Sequence, residues 1–220
     1  MAKLYFRYGA MNSGKSTALL QAAYNYEERG QAVLLAKPEM DTKGADQIAS
    51  RLGVTRTVDF LIGAEDDAGE LFRRHRDRVR ESGSDALIPG ESAPDVACLL
   101  IDEAQFLTPA QVDQVFRIAV EGAVPVMAYG IRTDFRTLAF PGSRRLLEIA
   151  HSLEELKTIC RCGRKALFNG RKIAGRFVFD GDQVAIDAEG ASVRDEHFVT
   201  YESLCGVCYL EESGGVLAPA

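Results

Sequence analysis

The sequence lacks several features that would assign a protein class at once. Acidic residues outnumber basic ones, 32 to 26, and a net charge of −6 gives no overall positive field to attract nucleic acid. There is no long apolar span and no apolar segment behind a basic start. We therefore expect a cytoplasmic protein that neither binds nucleic acid nor enters a membrane. There is also no internal repeat or long low-complexity tract.

The chain has five cysteines, and an odd number cannot form a complete set of disulfides. In a reducing compartment, closely spaced cysteines favour a metal site. Four form two short pairs, C-R-C and C-G-V-C, and structural zinc takes four tetrahedral ligands in such pairs. The first pair is tighter than C-x-x-C and the gap is long, so four free cysteines or a redox pair stay open as alternatives. The predicted zinc ligands are Cys160, Cys162, Cys205 and Cys208.

What the sequence does contain, near its start, is the pattern G-x-x-x-x-G-K-S over residues 9–16. A β-rich run, Leu4 to Tyr8, enters it, and a helical pattern, Thr17 to Arg29, leaves it. This is the context that a phosphate-binding loop requires, although a chance match in a glycine-bearing turn is the alternative. The predicted ATP-binding residues of the loop are Gly9, Ala10, Met11, Asn12, Ser13, Gly14, Lys15 and Ser16.

A second nucleotide signature follows the buried strand predicted over Val96 to Ile101. Asp102 at its tip is predicted to bind Mg²⁺ together with the Ser16 hydroxyl. Glu103 is then free to orient a nucleophile and take its proton, unless it is only a surface acid at a strand end. Cys98 lies inside the strand and is predicted to be a core residue.

Strands alternate with helices through the first two thirds of the chain. We predict a P-loop α/β fold, a parallel sheet with flanking helices, over residues 1–152. The late cysteines and short β runs predict a small zinc-binding domain over residues 153–212. Residues 213–220, rich in Gly, Ala and Pro, are predicted to be a disordered tail.

Two further stretches leave their roles open. The predicted helix from Gly69 to Glu81 carries five arginines, which favour a solvated face over a nucleic-acid patch because acids lie among them. The aromatic residues from Tyr129 to Phe140 follow the next strand tip. They could sandwich a base or could equally belong to the core.

The motifs together resemble those of one family. G-A-M-N-S-G-K-S, D-E-A-Q-F, Y-G-I-R-T-D-F and the two cysteine pairs stand in the order and spacing of the thymidine kinases found in many bacteria and in animal cytosol. The resemblance covers Met1 to about Glu212. It implies a P-loop α/β domain of the RecA-like kind and a zinc-bearing lasso domain. It also implies transfer of the ATP γ-phosphoryl group to the 5′-hydroxyl of thymidine, a homotetramer and feedback inhibition by thymidine triphosphate.

The resemblance also implies roles for individual residues. Glu103 matches the general base. The second nucleotide motif comprises Asp102, Glu103, Ala104 and Gln105. The predicted thymidine-binding residues are Met11, Phe106, Ile131, Phe135, Phe140 and Tyr201.

Three departures from the family pattern stand out. Asp41-Thr42-Lys43 stands where the family often has Asp-x-Arg. The lysine keeps the positive charge but lacks the guanidinium group that can bind a phosphate through two hydrogen bonds. Asp187-Ala188 stands where the lasso usually has Gly-Gly. The loop from Ser82 to Pro94 is long.

Two other functions are compatible with the nucleotide motifs. D-E-A-Q also resembles a helicase signature, so a nucleic-acid-dependent ATPase is one alternative. It is disfavoured because one RecA-like core is too little for a two-lobed motor and the net charge is negative. A non-catalytic nucleotide-binding regulator is the other.

Overall fold

The computed structural model describes residues 1–40, 46–84, 95–181, 183 and 198–217. Within these, the chain divides into two compact units. The first comprises Met1–Tyr8, Gly14–Gly130 and Pro141–Glu154. The second comprises Gly9–Ser13, Ile131–Phe140 and the chain from Glu155 onward. The departures at 41–43 and 187–188 lie outside the described residues, as do most of the long loop and the last three residues of the predicted tail.

The first unit is built on a six-stranded sheet with the order β5-β2-β6-β7-β1-β8. Its strands are β1 Leu4–Tyr8, β2 Ala32–Pro38, β5 Phe60–Ile62, β6 Val96–Ile101, β7 Val126–Gly130 and β8 Ser152–Glu155. A separate antiparallel pair consists of β3 Gln47–Ala49 and β4 Thr55–Thr57. The helices are α1 Lys15–Glu27, α2 Ala68–Ser84, α3 Pro109–Val120 and α4 Pro141–Ile149.

Parallel pairing covers five strands of this sheet, from β5 to β1. The central strands are near-continuous apolar runs, as expected where both faces of a sheet are covered. Leu34 in β2, Leu99 in β6 and Val126 in β7 lie in one buried core with Val112 and Val115 of α3. The predicted α/β class with a parallel sheet and flanking helices is therefore confirmed.

The strand order brings the carboxyl ends of three strands to one edge of the sheet. Strands β1, β7 and β6 are parallel neighbours, so their carboxyl ends meet at the edge where open α/β sheets bind ligands. Asp102 directly follows β6, and its N–H donates to the carbonyl of Ala36 in β2 at 3.0 Å. Thr108 and Gln111 have the spacing of a capping box in the sequence, and the structure contains that box, which fixes where α3 begins.

The second unit contains short antiparallel strands and one helix. Strand β11 is central in a three-stranded sheet with the order β12-β11-β13. The elements are β9 Thr158–Ile159, β10 Lys165–Ala166, β11 Phe168–Ile173, β12 Arg176–Val178, β13 Val199–Leu204 and α5 Gly206–Glu212. A small core joins Leu204 and Tyr209 to three of the late cysteines.

Several elements differ from the sequence prediction. Strand β5 and the β3–β4 hairpin were missed, because runs of three residues are too short to show a period. Helix α2 continues to Ser84, three residues beyond the predicted end. In the sequence, the runs Phe177-Val178-Phe179 and Val184-Ala185-Ile186 flank Asp180-Gly181 like a hairpin, but residues 184–186 lie outside the described ranges. A hairpin does occur earlier, where Ala174 and Gly175 both have positive φ between β11 and β12.

The arginine-rich helix α2 packs through Phe72, which is buried, and presents most of its arginines to solvent. Arg76 and Arg80 both bind the carboxylate of Asp95, at 2.5 and 2.7 Å. The pKa of Asp95 is lowered, chiefly by the hydrogen bonds from Arg76. The helix face therefore balances part of its charge locally, as a solvated face does.

No helix in the described ranges is both long and apolar enough to cross a bilayer.

Gly142, the second residue of α4, has no room for a side chain. A Cβ there would lie 2.5 Å from the carbonyl oxygen of Leu107 and 2.8 Å from that of Ala104. We predict that Gly142→Ala lowers the free energy of unfolding by about 1–3 kcal/mol, because backbone atoms have to move. Chemical denaturation measures this loss.

Gly69→Ala is the matched control, since Gly69 is also the second residue of its helix. Its Cβ would meet only side-chain atoms, the nearest being Asp67 Oδ1 at 3.1 Å. It should change the stability by no more than about 1 kcal/mol. Equal effects of the two substitutions would contradict the close approach of α4.

Candidate active site

The first half of the glycine-rich loop, Gly9–Ser13, turns sharply. The Ser13 N–H donates to the Ala10 carbonyl at 3.2 Å, and Asn12 has a φ of 66°. A Cβ on Gly9 would lie 2.4 Å from Ser13 Oγ and 2.6 Å from the Leu156 carbonyl oxygen. Only glycine therefore fits at position 9.

Ser13 supports a phosphate-binding role for this loop. Its Oγ is buried and has no hydrogen-bond partner among the described residues. An unpaired buried hydroxyl costs free energy, which a bound acceptor oxygen would recover. The loop therefore contains one hydroxyl that a bound acceptor could satisfy.

The second half of the loop starts α1. Gly14 has a φ of 80° and Lys15 is only 8% exposed. Burial lowers the pKa of Lys15, while the charges of Glu103 and Asp102 act in the opposite direction. A buried ammonium at a helix N-terminus is suited to meet phosphate oxygens.

Ser16 and Asp102 come together from positions 86 residues apart. Ser16 Oγ donates to Asp102 Oδ2 at 3.0 Å. Burial raises the pKa of Asp102, and the neighbouring Glu103 raises it further. A hydroxyl beside a buried carboxylate is an oxygen pair that fits Mg²⁺, and a bound cation would favour the ionised form of Asp102.

Glu103 has a left-handed backbone, with φ 47° and ψ 38°, which is uncommon for a residue of its kind. It immediately precedes a 3₁₀ turn, Ala104–Phe106. Its N–H donates to Asp102 Oδ1 at 3.0 Å, and its Oε2 accepts from Gln105 Nε2 at 2.5 Å. The half-buried carboxylate is thus held beside the Ser16–Asp102 pair, and Gln105, itself buried, orients it.

In the second unit, the segment Ile131–Phe140 forms a tight loop. Buried Asp134 organises it, because Asp134 Oδ1 accepts from the N–H groups of Arg136 and Leu138, both at 2.9 Å. The Arg136 side chain pairs with Asp134 Oδ2 at 3.1 Å. These contacts fix the backbone on both sides of Phe135.

Phe135 is held from its ring and from its backbone. The guanidinium of Arg171, on β11, lies over the ring at 3.8 Å from its centroid, a cation–π distance. The Tyr209 hydroxyl donates to the Phe135 carbonyl at 2.7 Å. One ring face is therefore covered by Arg171, which the sequence analysis did not single out.

Four cysteines of the second unit form one cluster. The sulfur atoms of Cys160, Cys162, Cys205 and Cys208 all lie within 4.8 Å of one another. The first pair lies between β9 and β10, where the Gly163 N–H donates to the Cys160 carbonyl at 2.8 Å. The second pair lies at the start of α5. Four convergent thiols on two turns are the donor set that structural zinc prefers.

The sequence comparisons agree with this geometry. Residues 2–209 match the family model described as "Thymidine kinase". The chain belongs to the thymidine kinase family. A thymidine kinase of Ruegeria pomeroyi is 42% identical over 97% of this chain and 96% of its own length. Those of Rhizobium meliloti and Chromobacterium violaceum are 43% and 42% identical, over 91% and 95% of this chain and 94% and 98% of theirs.

One solved structure has a distant likeness. The cytoplasmic domain of the Thermomonospora curvata type VII secretion ATPase EccC aligns with a TM-score of 0.39 and 15% identity, over 92% of this chain and 24% of that one. A similarity this weak supports no inference about this thymidine kinase family member.

The residues predicted for the family's thymidine pocket are divided between the two units. Phe106 lies in the first unit, on the 3₁₀ turn that follows Glu103. Tyr201 is half-buried on β13 and pairs with Arg171 across the strands. The other pocket residues also lie in the second unit, and they are Met11, Ile131, Phe135 and Phe140.

The histidines contribute no ligand to the cysteine cluster in the described part of the chain. His151 Nδ1 accepts from the Leu4 N–H at 3.1 Å, and its ring stacks on Phe116. His75 packs on Phe60. His197 lies outside the described residues. Both described histidines are therefore packing residues.

Proposed function

We propose that this chain transfers the γ-phosphoryl group of ATP to the 5′-hydroxyl of thymidine, giving thymidine monophosphate. The observation that carries the proposal is the arrangement around Asp102. A buried carboxylate bonded to the Ser16 hydroxyl stands directly beside a second carboxylate, Glu103, which Gln105 holds. One acid is thus available for a metal and the other for a proton, which is what phosphoryl transfer to an alcohol needs.

The phosphate loop would bind the triphosphate. Backbone N–H groups and the start of α1 provide positive ends for phosphate oxygens, and Lys15 provides a charge. Ser16 and Asp102 would hold Mg²⁺, which neutralises charge on the β- and γ-phosphates when bound. Asp102, Glu103, Ala104 and Gln105 complete the proposed nucleotide site.

Glu103 is the proposed general base. It would accept the proton of the thymidine 5′-hydroxyl as that oxygen attacks the γ-phosphorus, while ADP leaves. Because Gln105 already holds the Glu103 carboxylate, this side chain loses less conformational entropy when the substrate binds.

Thymidine would contact Met11, Phe106, Ile131, Phe135, Phe140 and Tyr201. An apolar space near Met11 would take the 5-methyl group. Since a methyl pocket discriminates by only about 1–3 kcal/mol, deoxyuridine should be a poorer substrate and not an excluded one. The lasso backbone proposed to read the base lies outside the described residues.

The domain division and the assembly are part of the same proposal. A nucleotide-binding domain over 1–152 would be followed by a zinc-binding domain over 153–212 and a disordered tail over 213–220. Structural zinc on the four cysteines would stabilise the second domain. The family resemblance supports a cytoplasmic homotetramer inhibited by thymidine triphosphate.

Replacing Glu103 by Gln tests the chemistry. Gln keeps the shape but is not a base, so kcat should fall by about 10²–10⁴-fold while ATP binding is retained. Formation of thymidine monophosphate and binding of an ATP analogue measure the two properties. Glu121→Gln, which removes an exposed acid after α3, is the control and should keep full activity.

A wild-type kcat in Glu103→Gln would refute the role of this residue. Adding DNA or RNA in place of thymidine separates the rival functions. ATP consumption that depends on nucleic acid would indicate an ATPase, and binding without consumption would indicate a regulator.

Cys208→Ser tests the zinc proposal. Loss of one of four thiolates should lower bound zinc from about one per chain towards zero and reduce thermal stability. Elemental analysis measures the metal. Cys98→Ser is the control, because this buried cysteine lies in β6 and should leave zinc content unchanged. Full zinc in Cys208→Ser would contradict the assignment.

A further inference from the structure

We propose that Asn169 and Ser203 form a two-point clamp that sets the conformation of the phosphate loop, and that they are positioning residues for nucleotide binding. The inference rests on the proposed function, since it assumes that the loop binds ATP. It assigns to the small three-stranded sheet a role in shaping the nucleotide site.

The clamp forms hydrogen bonds with both polar backbone groups of Met11, its N–H and its carbonyl. The Met11 N–H donates to Asn169 Oδ1 at 2.7 Å. Ser203 Oγ donates to the Met11 carbonyl. Asn169 is 3% exposed and Ser203 is 6% exposed, so water does not compete freely for either contact. Buried hydrogen bonds of this kind are costly to leave unmade.

The two side chains reach Met11 together because of strand register. Asn169 of β11 and Ser203 of β13 are direct partners in the antiparallel pairing. Side chains at directly opposed positions stand on the same face, about 4.5–5.5 Å apart at Cβ. The pairing therefore presents an acceptor and a donor at the spacing of the N–H and C=O groups of one residue.

The clamp has a consequence for the loop's remaining donors. The Met11 N–H is already occupied, so it is not available to a phosphate. The chain then turns through Asn12, whose φ of 66° is uncommon for a residue other than glycine. Holding the peptide before that turn fixes the direction in which the next N–H groups point. A loop ordered in advance loses less entropy when ATP binds.

Asn169 also makes a contact that Ser203 does not. Its Nδ2 donates to the Thr133 carbonyl at 3.0 Å, at the start of the loop that carries Phe135. The amide orientation follows from its partners, because one is a donor and the other an acceptor. Ser203 therefore acts through Met11 alone, while Asn169 acts on Met11 and also on the loop that carries Phe135.

Ser203→Ala gives the cleanest test. It removes the hydroxyl that holds the Met11 carbonyl. The Kd for a fluorescent ATP analogue and the KM for ATP should rise by about three- to tenfold, the effect of one lost hydrogen bond. The KM for thymidine should rise by less, because Met11 is one of six residues proposed to contact thymidine. Thr200→Ala, a half-buried hydroxyl on the same strand, is the matched control and should leave both values unchanged.

Asn169→Ala removes both contacts of that side chain. The Kd for the ATP analogue should rise by about three- to tenfold, as in Ser203→Ala, because the Met11 N–H loses its acceptor. The KM for thymidine should rise by about three- to tenfold more than in Ser203→Ala, because the Thr133 carbonyl also loses its donor. This difference between the two variants is not expected from a general loss of packing.

The clamp is overturned if Ser203→Ala folds and binds the ATP analogue as the wild type does. It is also overturned if Ser203→Ala weakens thymidine and ATP equally. Should Ser203→Ala fail to fold, Asn169→Ala decides the matter, since an unchanged Kd for the ATP analogue in that variant would overturn the clamp. Failure of the proposed function would look different, since the wild-type chain itself would not phosphorylate thymidine while the Kd values could still be compared.

Discussion

The hydrogen bond between Ser16 and Asp102 is the constraint on which the proposed chemistry depends. It joins the start of α1 to the end of β6, although β7 lies between β1 and β6 in the sheet. Only a parallel order brings these carboxyl ends to one edge. Once Asp102 is fixed there, Glu103 follows directly, and its left-handed backbone turns the chain into the 3₁₀ turn. The position of the second carboxylate is thus a consequence of the first.

Burial makes this arrangement costly without ligands. The pKa of Asp102 is raised and that of Lys15 is lowered, so both groups are shifted towards their uncharged forms. Ser13 Oγ has no partner in the described chain. Bound phosphates and a divalent cation would reverse each of these penalties, by pairing the lysine, ionising the aspartate and meeting the hydroxyl. A nucleotide-binding role would explain why these groups are buried at such a cost.

The sequence predicted the parts whose signals are local. The phosphate loop carries its glycines and lysine within eight residues, β6 is a continuous apolar run, and Thr108 and Gln111 announce the start of α3. Each of these motifs can be recognised without knowing which distant residues it contacts. The two cysteine pairs could also be recognised from the sequence, because the members of each pair are separated by only one or two residues.

What the sequence could not show is set by contacts between distant segments. Asn169 is one polar residue in a strand, and its role depends on Met11, 158 residues away. Arg171 looks like any charged strand residue until Phe135 is placed beneath it. Strand β5 was missed because three apolar residues carry no period, and its pairing with β2 is what makes it a strand.

The most direct measurement of the central claim is a crystal structure with thymidine and a non-hydrolysable ATP analogue bound. The account predicts that the Glu103 carboxylate lies at hydrogen-bond distance, about 2.6–3.2 Å, from the thymidine 5′-oxygen, with the triphosphate in the glycine-rich loop. A structure with both ligands in place and this carboxylate out of reach of the 5′-oxygen would contradict it.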